Sequence, residues 1–155
     1  MISLYPDAEF MPSPHFSNRG GKSVECVVLH YTAGGRASGS ASWAMNPASK
    51  VSWHFLISRT GKVIQQVPLE SAAWHSGASQ TMYRGEMKHG VNRFSIGVEL
   101  ANHGYLHRGN DGRFYYELAG NMRLYRQKAD PIEGRLVFDN GTKVEGWWEP
   151  YADAQ

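Results

Sequence analysis

The chain has 155 residues, 41% of them hydrophobic and 19% charged, the size and balance of one compact domain with a sizeable core. Sixteen basic and 14 acidic side chains leave a formal net charge of +2, which points neither to nucleic acid nor to a polybasic membrane contact. The single cysteine, Cys26, excludes an intrachain disulfide, and no apolar run is long enough to insert across a bilayer. The opening residues show no basic stretch followed by an apolar one, so synthesis without an export signal is expected.

In chain order, residues 1–22 are rich in Pro, Ser, Gly and Asn and predict an irregular arm anchored by Phe10, Phe16 and His15. Residues 24–29 form an apolar, β-favouring run that predicts a central strand covered on both faces, with Cys26 packed as a small hydrophobe and His30 at its end. A glycine-containing turn at 32–35 leads to a short helix over 38–45, stopped by Asn46 and Pro47. Residues 51–58 and 62–67 flank Arg59, Thr60 and Gly61 and predict an antiparallel hairpin. Residues 94–100 predict a further strand.

Residues 101–148 turn polar and aromatic and read as an insertion, with a second hairpin from 135–138 and 142–145 about Asp139, Asn140 and Gly141. Residues 149–155, with Pro150 suited to a first turn, predict the opening of a helix. A helix without a body implies an uncovered sheet face and a natural protein that continues beyond Gln155. The fold class is therefore α/β (α+β): a single domain over 1–155, a central mixed β-sheet flanked by helices, and a C-terminal helix cut short.

No local metal motif is present, so a metal site would have to be assembled from distant segments. Of the seven histidines, His30 stands out because it follows a strand and precedes a glycine-containing turn. That position suits either a metal ligand in a cleft or a capped structural histidine. Glu99, a carboxylate among apolar strand residues, is either functional or salt-bridged. His103 and His107 are four apart, but the glycines around them favour a loop with mobile or surface imidazoles.

Four segments in order carry a resemblance: Leu29-His30-Tyr31-Thr32-Ala33-Gly34; Ser52-Trp53-His54-Phe55-Leu56-Ile57; Ala73-Trp74-His75-Ser76-Gly77; and Ser95-Ile96-Gly97-Val98-Glu99-Leu100. The chain resembles the N-acetylmuramoyl-L-alanine amidases, which include phage lysins and muropeptide-recycling enzymes and are related to the peptidoglycan-recognition proteins. The resemblance implies a zinc-dependent peptidoglycan hydrolase with His30 as a metal ligand and Glu99 as the catalytic acid/base beside a metal-bound water. It implies that Tyr31, Trp74 and His75 lie along the substrate cleft, with a structural role for Trp74 or His75 the alternative. Trp53 replaces the catalytic tyrosine of some relatives; its indole exchanges no proton near neutral pH, so packing or stacking is expected. His54, alternating away from it, is expected to be a hydrogen-bonded core residue.

Family members complete the zinc site with a later histidine and an aspartate or cysteine, but this chain has no histidine after His107. The expectation is weak zinc binding by residues 1–155 and the absence of a cation to stabilise the oxyanion. Three classes follow: a catalytic amidase, a non-catalytic peptidoglycan-binding module, or an inactive fragment. Peptidoglycan or a muropeptide is the implied partner, met in the cytoplasm or on the wall after release. Tyr115 and Tyr116, among the aromatics of 101–148, either form a glycan-facing wall or belong to a satellite core.

Overall fold

The computed structural model of the protein describes residues 4–126, 130–137 and 141–155. Its elements in chain order are β1 (Glu9–Phe10), β2 (Phe16–Asn18), β3 (Cys26–Tyr31), α1 (Ala37–Met45), β4 (Phe55–Ile57), β5 (Val63–Gln65), β6 (Ser71–Ala73), β7 (Gln80–Tyr83) and β8 (Glu86–His89). A 3-10 turn (Val91–Arg93) then leads to β9 (Ser95–Leu100), β10 (Tyr105–Arg108), β11 (Phe114–Leu118), β12 (Asn121–Leu124), β13 (Ile132–Val137) and β14 (Lys143–Trp148).

The main sheet has the order β1-β5-β4-β9-β3. β9 runs parallel to β3 and β4, while β4 and β5 form the expected antiparallel hairpin, with Phe55 opposite Gln65 and Ile57 opposite Val63. The sheet is mixed, as the sequence suggested. α1 also forms where expected and packs the fully buried Ala41 and Ala44 against Trp53, Leu56 and Ile64. Small helical residues let the helix sit close to the sheet, which fixes the floor beneath the site.

The run at 24–29 forms a strand, but not a central one. β3 lies at the sheet edge, with Val27, Leu29 and Tyr31 respectively 59%, 65% and 43% exposed and Cys26 only half-buried. An apolar run specifies a strand, whereas its place in the sheet depends on which distant segments pair with it. The interior position goes to β9, whose Ser95, Gly97, Val98, Glu99 and Leu100 are all buried.

The N-terminal arm is not irregular throughout, because β1 pairs with β5 and β2 with β6. Phe10 and Phe16 are exposed and do not anchor it. Polar groups do: Ser13 Oγ donates to Ala44 O at 2.6 Å, and His15 Nε2 donates to Asn46 O at 2.8 Å. Arg19 donates to the carbonyls of Leu69, Arg93 and Ser95 at 3.0, 3.1 and 3.0 Å. A buried guanidinium with this many acceptors ties the arm to both β9 and the loop after β5.

Among the described residues α1 is the one α-helix, so the sheet is not flanked by several, and none is long and apolar enough to cross a membrane. Residues 149–155 do not open a helix. Asn102 Nδ2 donates to the carbonyls of Glu149 and Pro150 at 3.3 and 3.2 Å, and Gln155 Nε2 donates to Ala101 O at 3.2 Å. The bonds from Asn102 take carbonyls that a first helical turn would need, and the bond from Gln155 ties the end of the segment to the loop after β9, so together they outweigh the local preference set by Pro150.

Strands β10 to β14 build a second, antiparallel sheet of order β12-β11-β10-β14-β13. The expected second hairpin is its pair β13 and β14, from Ile132 opposite Trp148 to Val137 opposite Lys143. Phe138, Asp139 and Asn140 lie outside the described residues.

Candidate active site

Glu99 sits near the carboxyl end of β9, in parallel register with His30 of β3 and beside Leu56 of β4. A cavity of about 1170 Å³ opens at this end of the sheet, and its lining includes Tyr31, Trp53, Trp74, His75, Glu99 and His103. Ligand sites at the carboxyl edge of parallel strands follow from the way loops diverge there. Glu99 is 9% exposed, and its Oε2 is buried with no hydrogen-bond partner among the described residues. Burial pushes its carboxyl up to about 7, so it can exchange a proton near neutral pH. Trp53 Nε1 is likewise buried and without a partner. An unmatched donor and an unmatched acceptor on residues lining one cavity mark a site completed by a ligand or water.

Behind this wall the histidines form a connected set whose tautomers can be assigned. Ser95 Oγ donates to Val91 O at 2.7 Å and therefore accepts from His75 Nε2 at 3.0 Å. His75 Nδ1 then carries the lone pair and accepts from His30 Nε2 at 3.0 Å. His30 is left with a lone pair on Nδ1. His54, fully buried, accepts from Gly97 N on Nδ1 at 3.0 Å and donates from Nε2 to Ser71 O at 3.0 Å, as expected of a core histidine. Burial lowers the pKa of His54 to about 4, and burial together with His30, His54 and Arg19 lowers that of His75 to about 3, so both are neutral at pH 7. Burial also lowers His30.

The structure thus brings Tyr31, Trp74, His75 and Glu99 to one cavity; His30 is not on its lining and joins the group through His75. Gly97 makes this possible, since a Cβ there would lie 2.4 Å from His75 Cγ. Trp74 is held by a stack on His15 at 5.5 Å and by its backbone N donating to Ser52 Oγ at 2.8 Å. Trp53 is packed in the core beneath α1 and also reaches the cavity.

Three features escaped the sequence reading. His103 is buried rather than at the surface, although His107 is exposed. Arg59 pairs with both carboxylate oxygens of Glu149, at 2.8 Å to Oε2, and Glu149 Oε2 also accepts from His103 N at 2.6 Å. Burial alone would raise the Glu149 carboxyl, but hydrogen bonds from His103 and Arg59 bring it down to about 2. Cations are present too, because Arg36, Lys50 and Arg59 all line the cavity. Tyr115 and Tyr116 do not act together: Tyr116 lines the cavity, whereas the Tyr115 hydroxyl donates to Asp111 at 2.7 Å. Alternation along β11 sends the two rings to opposite faces.

Residues 20–155 match the N-acetylmuramoyl-L-alanine amidase family. The chain belongs to this family. It is 49% identical over 51 residues to 1,6-anhydro-N-acetylmuramyl-L-alanine amidase AmpD of Escherichia coli, covering 33% of this chain and 26% of that protein. It is 30% identical over 115 residues to AmpD of Haemophilus influenzae, covering 63% and 60%. The crystal structure of a selenomethionine AmpD derivative superposes with a TM-score of 0.51 at 29% identity, covering 64% of this chain and 65% of that one. The chain therefore spans less than two thirds of each of these relatives.

Zinc is the metal that the family implies. A catalytic zinc takes three protein ligands and a water. Among the described residues no three His, Cys, Asp or Glu side chains gather to hold a metal, and the facing nitrogens of His30 and His75 are hydrogen-bonded to each other. The described residues do not, by themselves, fit a catalytic zinc site.

Proposed function

We propose that this amidase-family chain hydrolyses the amide joining the lactyl group of N-acetylmuramic acid to L-alanine of the stem peptide, in peptidoglycan or a soluble muropeptide. The observation that carries the reading is Glu99: a buried carboxyl poised near pH 7, with Oε2 unpartnered, on a cavity large enough for a sugar and part of a peptide. Glu99 accepts a proton from the attacking water and returns it to the leaving amine nitrogen, so the proton count closes over one turnover. Arg36 and Lys50 are the cations proposed to balance charge developing on the carbonyl oxygen. Tyr31, Trp74 and His75 line the path of the substrate.

His30 is proposed as a zinc ligand through Nδ1, with His75 holding the ring by its other nitrogen. The reaction would take place on muropeptides in the cytoplasm or on the wall after release. A second reading, a non-catalytic peptidoglycan-binding module, is favoured by the missing three-donor cluster among the described residues. Digestion of purified peptidoglycan separates the two. New alanine amino termini without new reducing sugars support the amidase, whereas wall binding without product supports the module.

A further inference from the structure

His103 lies just beyond β9 and shares the cavity lining with Glu99, yet its side chain is only 5% exposed. Its Nδ1 lies 2.8 Å from Glu149 Oε2. An ionised carboxylate can only accept, so Nδ1 carries the proton and the neutral ring keeps its lone pair on Nε2. The hydrogen bond to this ring among the described residues is the one from Nδ1 to Glu149; Arg59 Nη2, 3.1 Å from the same nitrogen, is a donor that a protonated Nδ1 cannot accept, and it donates to Glu149 Oε2 at 2.8 Å instead. Tyr116 lies against the imidazole with centroids 4.1 Å apart, and Tyr125 meets it edge-on at 5.8 Å. A histidine buried for packing alone needs no buried ion pair to set its tautomer. Here a guanidinium, a carboxylate and two aromatic rings fix one imidazole and leave one acceptor nitrogen uncommitted.

We propose that His103 is a ligand-binding residue of the cavity, whose Nε2 accepts a hydrogen bond from an amide N–H or hydroxyl of the muramoyl peptide. Glu149 and Arg59 are its positioning residues, and Tyr116 supplies the adjoining apolar wall. The proposal rests on the amidase reading and adds to it a recognition element drawn from the segment after β9 and from the loop between β4 and β5. The two lining residues then divide the work: Glu99 moves protons and His103 orients the substrate.

The test uses muramyl dipeptide, N-acetylmuramoyl-L-alanyl-D-isoglutamine, added to the uniformly 15N-labelled chain carrying Glu99→Gln, with imidazole and indole nitrogens observed by NMR. His103 should show the Nδ1–H tautomer, and its Nε2 resonance should move on addition of the dipeptide. In the cleavage assay His103→Phe, which keeps the ring against Tyr116, should raise KM about tenfold with kcat little changed, and His103→Gln, which restores an acceptor, should recover most of the loss. An Nε2–H tautomer, or a stationary His103 signal while the Trp53 or Trp74 indole signals shift, overturns the proposal and leaves the amidase reading standing. An unchanged KM in His103→Phe does the same. If no resonance of any residue moves, binding of the substrate fails, and both readings fall together.

Discussion

His30 and His75 meet nitrogen to nitrogen: His30 Nε2 donates to His75 Nδ1 across 3.0 Å, in a space that exists because residue 97 has no side chain. Gly97→Ala would put a Cβ 2.4 Å from His75 Cγ, so the ring must move and the contact must break. The variant should lose about 1–3 kcal/mol in urea unfolding, the usual effect of overpacking, and most of its cleavage activity. A variant equal to the parent in both would show that His75 does not sit over this strand.

The raised carboxyl of Glu99 predicts a definite sign for stability. With a pKa of about 7 in the fold against 4.5 when exposed, the folded state holds the proton more tightly, so stability declines as pH rises through this window. Glu99→Gln removes the buried charge and should stabilise the chain by up to about 3 kcal/mol above pH 8, with little effect near pH 4. Thermal unfolding at both values checks this. A variant destabilised equally at both would contradict the burial argument.

Arg59 and Glu149 are 90 residues apart in sequence and joined through both carboxylate oxygens, with the Glu149 side chain only 1% exposed. Arg59→Met should cost about 3–5 kcal/mol, because it strands a buried carboxylate. Replacing both residues by leucine should cost less than the sum of the single changes. Additive losses would mean that the pair does not interact.

The donor count predicts weak zinc binding. Residues 1–155 should release zinc completely to a mild chelator in equilibrium dialysis, since both nitrogens of His75 are committed to hydrogen bonds, His30 offers Nδ1 alone, and no three donors gather among the described residues. Retention of one zinc per chain would show that the ligands have been misjudged.

The parts legible in the sequence were those written in local pattern. The runs at 51–58 and 62–67 about the turn Arg59-Thr60-Gly61 announced β4 and β5, and Glu99 announced itself as a charge inside an apolar strand. Position in the sheet was not local: the apolar run at 24–29 said strand, while the pairing of β4 with β9 decided that β3 would be the edge. The helix expected at 149–155 failed for a similar reason, as Asn102 claims the carbonyls of Glu149 and Pro150 that Pro150 alone would have left to a first turn, and Gln155 Oε1 claims the amide of Ala152. The cluster of Arg59, His103 and Glu149 joins three segments with no shared motif, so composition and spacing could not reveal it. The family resemblance located Glu99 on the cavity lining but not Arg59 and His103, which line the same cavity.

The central claim is that Glu99 carries the proton in cleavage of the muramoyl amide. Its most direct test compares the parent and Glu99→Gln, in the protein as supplied with zinc, for release of alanine amino termini from a purified muropeptide at pH 7.5, with muropeptide affinity measured on the same samples. The account predicts a fall in turnover of about a hundredfold or more with affinity retained. Turnover by Glu99→Gln within a few fold of the parent would contradict it.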